Sequence, residues 1–347
     1  MTRILSTATA VPPYKVDRET YKSYCDVLFG ERARAARKIA ENARIDTRYI
    51  SRPPEEVIAP RTIEEKAKAY DQTALELCET VARRAIDHAH LAVEQIDQII
   101  TTSCTGVMIP SVDAYLVEKM GLRRDVVRLP ITELGCAGGA SALARAREFQ
   151  IVRPGCHTLV IACELPSLTF QPADRSMTNL VATSIFGDGA AAVVLGARAR
   201  RPSPFLVDST TYLFPKSHYL MGFELKNGGF HIVLDRDVPH YLKGKVRPLV
   251  EPFLERNKLT LSDMRFTALH PGGRRILEDL DADLGLGGMT EPSWDVLRNY
   301  GNLSSATVLF VLDEVMRRSA PPVGSYGLLA AFGPGFSCEL SLMRWDA

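Results

Sequence analysis

Three residues of this 347-residue chain have side chains and settings suited to covalent acyl chemistry. Cys136 lies in ITELGCAGGASALARAREF, residues 131–149, between a short apolar strand and an alanine-rich helical stretch. A thiol at a helix start meets about half a unit of positive charge, which favours thiolate and brings a cysteine pKa from about 8.5 into the range of roughly 3.5–7.5. Taken alone, the same residue also reads as a small buried apolar side chain. His270 closes a buried strand, and the Pro271, Gly272 and Gly273 that follow it predict a tight exposed turn at the strand's carboxyl end, the edge where α/β sheets bind ligands. Asn302, in YGNLSSAT, precedes a helix and by itself is an ordinary N-cap, with Ser304 and Ser305 as alternatives. As a third polar group beside a cysteine and a histidine, it points to nucleophilic acyl transfer with an oxyanion site.

The elements that must position these groups are legible in outline. Gly135, Gly138 and Gly139 free the bend before the cysteine helix of Cβ clashes, and Ala140, Ala142, Leu143, Ala144, Ala146 and Phe149 sustain the helix. After a first strand ending at Pro12 and Pro13, residues 17–43 are charged with a helical period; Arg32, Arg34, Arg37 and Lys38 there form either a solvated face or a grip for phosphate. Residues 52–63, with Pro53, Pro54 and Pro60, read as loop, and an amphipathic helix is expected near 66–90. A buried strand within 95–106, a helix at about 111–121, and the run CHTLVIACE at 156–164 follow, the last typical of a strand covered on both faces. FGDGAAAVVLGA, 186–197, pairs a glycine turn with a further buried strand, and residues 205–240 read as strands with loops.

The second half repeats the pattern of the first. LSDMRFTALHPGG at 261–273 echoes VEQIDQIITTSCTG, a helix at about 303–318 stands where the cysteine helix stood, and SYGLLAAFGPGFSCELSLMRW at 325–345 echoes FGDGAAAVVLGA. The echo predicts a duplicated α/β fold with five layers of helix and sheet, residues 1–200 carrying the cysteine and residues 201–347 the histidine and asparagine.

Composition narrows the partners. Forty-two basic against forty-one acidic residues, a net charge of +1, make no electrostatic case for nucleic acid or an anionic membrane, so a small-molecule substrate is expected. Seven scattered cysteines without a CxxC pair are unlike a disulfide framework or a zinc site and predict a reducing cytoplasm. The N-terminal stretch lacks the apolar core of a signal peptide, and no apolar run approaches the roughly 20 residues of a membrane span.

The cysteine after ELG, FGDGAAAV, LHPGG, YGNLSSA and the closing FGPGF, in that order between about residues 4 and 345, resemble the type III polyketide synthases of bacterial type, the chalcone synthase superfamily within the thiolase fold. The ketoacyl synthase III enzymes share the Cys, His, Asn order, but their histidine is typically followed by Gln-Ala-Asn, whereas Pro-Gly-Gly stands here. The resemblance implies that Cys136 accepts the acyl group and that His270 pairs with its thiolate. His270 and Asn302 would then donate to the thioester oxygen of malonyl-CoA as it loses carbon dioxide. It implies an aromatic gate at Phe186, whose other reading is core packing, and a second gate at Ile232, with Phe230 two residues away. Cys104, Thr105, Thr169 and Ser304 fall at cavity-wall positions, and Lys38 at a basic position that holds the CoA phosphates. Ile109 takes the place of a methionine that crosses the family's homodimer. No metal or redox cofactor is implied.

The expected activity is iterative extension of an acyl-CoA starter by malonyl-CoA, the starter a medium or long fatty acyl chain and the product an alkylpyrone or alkylresorcinol. An aromatic or malonyl starter, a single carrier-protein-dependent condensation, and a non-catalytic acyl-CoA-binding protein are the alternatives.

Overall fold

The computed structural model describes residues 2–318 and 321–347, so Met1, Ser319 and Ala320 lie outside the description. Strand β1 (Thr2–Ala10) is followed by a small hairpin, β2 (Tyr14–Asp17) with β3 (Thr47–Ile50), that encloses helices α1 (Arg18–Phe29) and α2 (Ala33–Asn42). The proline-rich stretch read as loop contains a short helix, α3 (Pro54–Ile58). Helix α4 (Ile63–His88) begins ahead of its apolar period because Thr62 and Glu65 form a capping box, Glu65 N donating to Thr62 Oγ1 at 3.2 Å and Thr62 N to Glu65 Oε2 at 2.7 Å.

The chain then runs through β4 (Gln98–Thr102), α5 (Val112–Met120), β5 (Val127–Ile131), α6 (Gly138–Val152), β6 (Thr158–Glu164), α7 (Met177–Ile185) and β7 (Gly189–Gly196). Its later part comprises β8 (Ser203–Leu213), the hairpin β9 (Met221–Lys226) with β10 (Gly229–Leu234), α8 (Val238–Leu242), α9 (Arg247–Glu255) and β11 (Met264–Leu269). Helices α10 (Arg274–Leu284), α11 (Glu291–Tyr300) and α12 (Thr307–Arg317) lead to the closing strands β12 (Tyr326–Gly333) and β13 (Ser337–Asp346).

One nine-stranded sheet, ordered β11-β12-β13-β8-β1-β7-β6-β4-β5, carries the repeat. Outward from the β1–β8 seam, β7, β6 and β4 on one side match β13, β12 and β11 on the other: antiparallel, antiparallel, then parallel. Strand β5 extends the first side alone. The buried strands alternate between two covered faces. Val160 and Ala162 of β6 and Leu329 and Ala331 of β12 point to a middle layer built from α6 and α12. Leu159 and Ile161 point instead to α4 and α5, and Leu328 and Ala330 to α9 and α10. The layers are therefore α4/α5, sheet, α6/α12, sheet, α9/α10, the five layers expected, with the hydrogen-bonded seam joining both sheet halves around the middle helices. Among the described residues no helix is long and apolar enough to cross a membrane.

Candidate active site

The two middle helices begin side by side, and glycine makes this possible. A Cβ on Gly139 in the first turn of α6 would lie 2.3 Å from the Ser305 carbonyl oxygen ahead of α12. Cys136 sits one turn before α6, in a 3₁₀ turn spanning Gly135–Ala137. Gly135 adopts φ +49°, a left-handed conformation suited to glycine, and a Cβ there would meet Pro334 at 2.6 Å. The closing FGPGF loop thus packs directly on the turn that carries the thiol.

Asn302 comes to the same place from the other half. Its Oδ1 accepts from Ser304 N at 2.8 Å and Thr307 Oγ1 at 3.2 Å, its Nδ2 donates to Gly272 O at 3.1 Å, and Cys136 Sγ lies 4.0 Å from Oδ1. The other proton of Nδ2 has no acceptor among the described residues. Ser304, held at φ +49° in a region sparsely used by non-glycine residues, places its Oγ 3.5 Å from Cys136 Sγ and 3.4 Å from Cys104 Sγ. His270 joins through Gly272, whose carbonyl receives Asn302 and whose N–H donates to His270 O at 3.0 Å. The exposed turn expected around His270 is not what forms: the residue is 2 % exposed, its N–H bound to Ala330 O, and its Nδ1 is buried with no partner among the described residues.

That burial opposes the electrostatics expected for the thiol. Loss of water pushes Cys136 up to about 12, opposed only in part by Ser304 and Asn302, and pushes His270 down to about 3. Desolvation thus opposes the half-charge of the helix terminus and favours the neutral form of both groups. A buried acid lies behind the two thiols: Glu164, at the end of β6, accepts from Thr105 Oγ1 at 2.7 Å, Cys104 N at 3.1 Å and the Ser305 hydroxyl, and burial holds its carboxyl above the usual range. Its sequence signal was a carboxylate closing the otherwise apolar run LVIACE, which the motif reading passed over.

A cavity of about 640 Å³ opens onto Cys136. Cys104, Thr105, Thr169 and Ser304, anticipated as wall residues, line it, and so do Phe186 and Ile232, the positions expected to form its gates. Phe230 lines it together with Ile232, and Phe223 faces Ile232 across the β9–β10 hairpin with its ring 5.6 Å from that of Phe230. The hairpin wall is therefore an aromatic pair beside an isoleucine, a grouping visible only once the strands are in register. Beyond the anticipated residues, the cavity reaches Tyr24 and Leu28 of α1 and Val57 and Ile58 around α3. His270 and Asn302 are not on its wall, and Lys38 is exposed on α2, in no ion pair among the described residues.

The aspartate of FGDG is a clip. Asp188 accepts from Ser51 N and Ser167 N, each at 2.8 Å, joining the end of β3 to the turn before β7, and burial pushes its carboxyl up to about 6. A carboxyl raised above its unfolded value of about 3.9 favours folding below that value and loses the contribution as pH rises through its folded value, a swing of about 3 kcal/mol here. Asp188→Asn cannot ionise, so its unfolding free energy relative to wild type is expected to rise by about 3 kcal/mol between about pH 4 and pH 7, on top of a constant penalty for its missing acceptor. Denaturant unfolding across that range measures it; a flat difference would show that the Asp188 pKa is not raised by folding.

A nucleophile before one middle helix, an amide before its symmetry mate and a deep apolar cavity define a condensing enzyme of thiolase-like architecture. Residues 1–199 match the family model described as chalcone and stilbene synthases, N-terminal domain, and residues 206–345 that of the C-terminal domain. The chain is 33% identical over 362 residues to a putative chalcone synthase of Bacillus subtilis, covering 100% of this chain and 99% of that protein. It is 35% identical to the 1,3,6,8-tetrahydroxynaphthalene synthase of Streptomyces peucetius, covering 99% and 93%. The crystal structure of the tetrahydroxynaphthalene synthase of Streptomyces coelicolor, a bacterial type III polyketide synthase, superposes with a TM-score of 0.96 at 33% identity over 99% of both chains. The protein belongs to the chalcone and stilbene synthase family: it is a type III polyketide synthase, an acyltransferase that condenses malonyl-CoA.

Proposed function

We propose that the protein extends a medium- or long-chain fatty acyl-CoA with malonyl-CoA and closes the product to an alkylpyrone or alkylresorcinol. The observation that carries this reading is the cavity, which runs from Cys136 to apolar side chains of α1 and α3 and is far larger than one extension unit needs. In the proposed cycle the Cys136 proton passes to His270 as Sγ attacks the starter thioester, and CoA leaves with that proton. Malonyl-CoA then loses carbon dioxide while His270 and the second Asn302 N–H hold its developing enolate oxygen, and the resulting carbanion attacks the acyl group on Cys136, whose C–S bond breaks to release the Cys136 thiolate. CoA thioesters serve as substrates, and no step calls on a metal or redox group. Lys38, with the exposed Arg34 one turn away, is proposed to meet the CoA phosphates; neither is in an ion pair among the described residues, whereas Arg37 is bound to Asp26. The enzyme is proposed to act in the cytoplasm as a homodimer, with Ile109, 90% exposed, and Val107, 61% exposed, as apolar contacts for the second copy.

A malonyl starter is the second reading, favoured by the likeness to the tetrahydroxynaphthalene synthases of Streptomyces peucetius and Streptomyces coelicolor. Incubation with labelled malonyl-CoA and starters from acetyl to stearoyl and coumaroyl, products read by mass, separates the two. Products that grow by two-carbon units and are most abundant with fatty acyl starters are expected; equal turnover with malonyl-CoA alone would establish the second reading.

A further inference from the structure

In the wall of the same cavity, with Tyr21 beside it, lies a buried cation without an acid. Arg48 of β3 is 6% exposed, and among the described residues no carboxylate pairs with it. Its guanidinium instead donates to Ser184 O at the end of α7 and stands 4.7 Å over the ring of Tyr21, whose hydroxyl is 2.7 Å from Ser184 Oγ. A guanidinium is costly to bury without a counter-charge, so its place calls for an account.

Its stem supplies one. The chain after α7 and the chain after α11 run together here. Asn302 N donates to Ile185 O at 2.8 Å and Gly187 N to Asn302 O at 3.0 Å, which bridges Phe186 to Asn302. A Cβ on Gly187 would lie 2.5 Å from Tyr300 O and 3.4 Å from Arg48 Cβ; a Cβ on Gly301, at φ +73°, would lie 2.6 Å from Ile185 O and 3.2 Å from Arg48 Cγ. Both glycines exist in a crossing that the Arg48 stem fills from below. The main chain of Asn302 is thereby held at both its N–H and its carbonyl by the segment that also carries Phe186 into the cavity wall.

We propose that Arg48 is a positioning residue for decarboxylation: its stem against Gly187 and Gly301, with its guanidinium fixed by Ser184 and Tyr21, holds the Phe186–Asn302 bridge and so aims the Asn302 amide. This rests on the role given to Asn302 above. The consequence is selective, because acylation of Cys136 needs the thiol and the imidazole, whereas decarboxylation also needs the amide in place.

The test compares wild type with Arg48→Met and Arg48→Lys in two assays, malonyl-CoA decarboxylation (kcat and KM) and acylation of Cys136 by a starter followed by intact mass, with Tm alongside. Arg48→Met is expected to lower the decarboxylation kcat about 10- to 100-fold, the effect of a displacement of about 1 Å at a reacting centre, with KM and the acylation rate changed by less than about threefold. Arg48→Lys retains most of the stem and is expected to recover to within about fivefold of wild type. If Arg48→Met does not fold, Tyr21→Leu, which strips the ring from under the guanidinium, is expected to show the same split to a smaller extent. An unchanged kcat, or acylation and decarboxylation falling together in whichever variant folds, overturns the proposal. Failure of the functional reading looks different: the wild type itself would then not decarboxylate malonyl-CoA.

Discussion

Cys136→Ala is expected to abolish chain extension, by at least about 10⁴-fold, while malonyl-CoA decarboxylation and Tm stay close to wild type. The acyl chain has nowhere to be held without Sγ, but the amide of Asn302 and its partners Gly272, Ser304 and Thr307 are left intact. Mass spectrometry of products, with carbon dioxide release from malonyl-CoA measured in parallel, reads both halves. The thiol itself has a signature. With Cys136 pushed up to about 12 by burial, its alkylation by iodoacetamide in the free enzyme is expected to rise about tenfold per pH unit from about pH 7 to 10 without a plateau. A plateau reached below about pH 8 would mean a resting thiolate and would refute the neutral pair.

For Asn302→Asp the expected loss falls on the other half of the reaction. Aspartate keeps an oxygen for Ser304 N and Thr307 Oγ1, so the local fold survives, but the N–H available to an enolate is gone and an acceptor faces Gly272 O instead. Removal of one such donor lowers rates by about 10²- to 10³-fold. Decarboxylation is expected to fall by that factor while the starter still acylates Cys136, as seen by intact mass. Equal loss of acylation would assign Asn302 a structural part only.

Local sequence carried much of this. The repeat of strand, helix and strand across the two halves was visible because strands covered on both faces are nearly continuous in apolar residues, as in LVIAC and GLLAAF. Cys136 and Asn302 were placed correctly at the starts of two related helices, and the anticipated wall residues do share one cavity. What failed was whatever depends on neighbours distant in sequence. The turn after His270 has the composition of an exposed loop, yet His270 and Pro271 are buried and Gly272 and Gly273 half-buried, and lost hydration opposes what a helix terminus offers the thiol. Thr62 and Glu65, by contrast, were a readable start signal that apolar periodicity alone does not weigh. No motif marks Arg48, since its meaning lies in two glycines far along the chain.

The seam of the sheet sets a clock on biogenesis. Arg3 of β1 is paired with Gly196 of β7 and Phe205 of β8, so the central strand finds its neighbours only after most of the first half and the start of the second have been made. At ribosomal speeds of about 5–20 residues per second, that is a wait of roughly 10–40 s, during which this strand has no lateral partner for its main chain. Long-range pairing of this kind also slows folding from the denatured chain. Yield of active enzyme is therefore expected to depend on chaperones and on translation rate more steeply than the thermal stability of the finished fold would suggest.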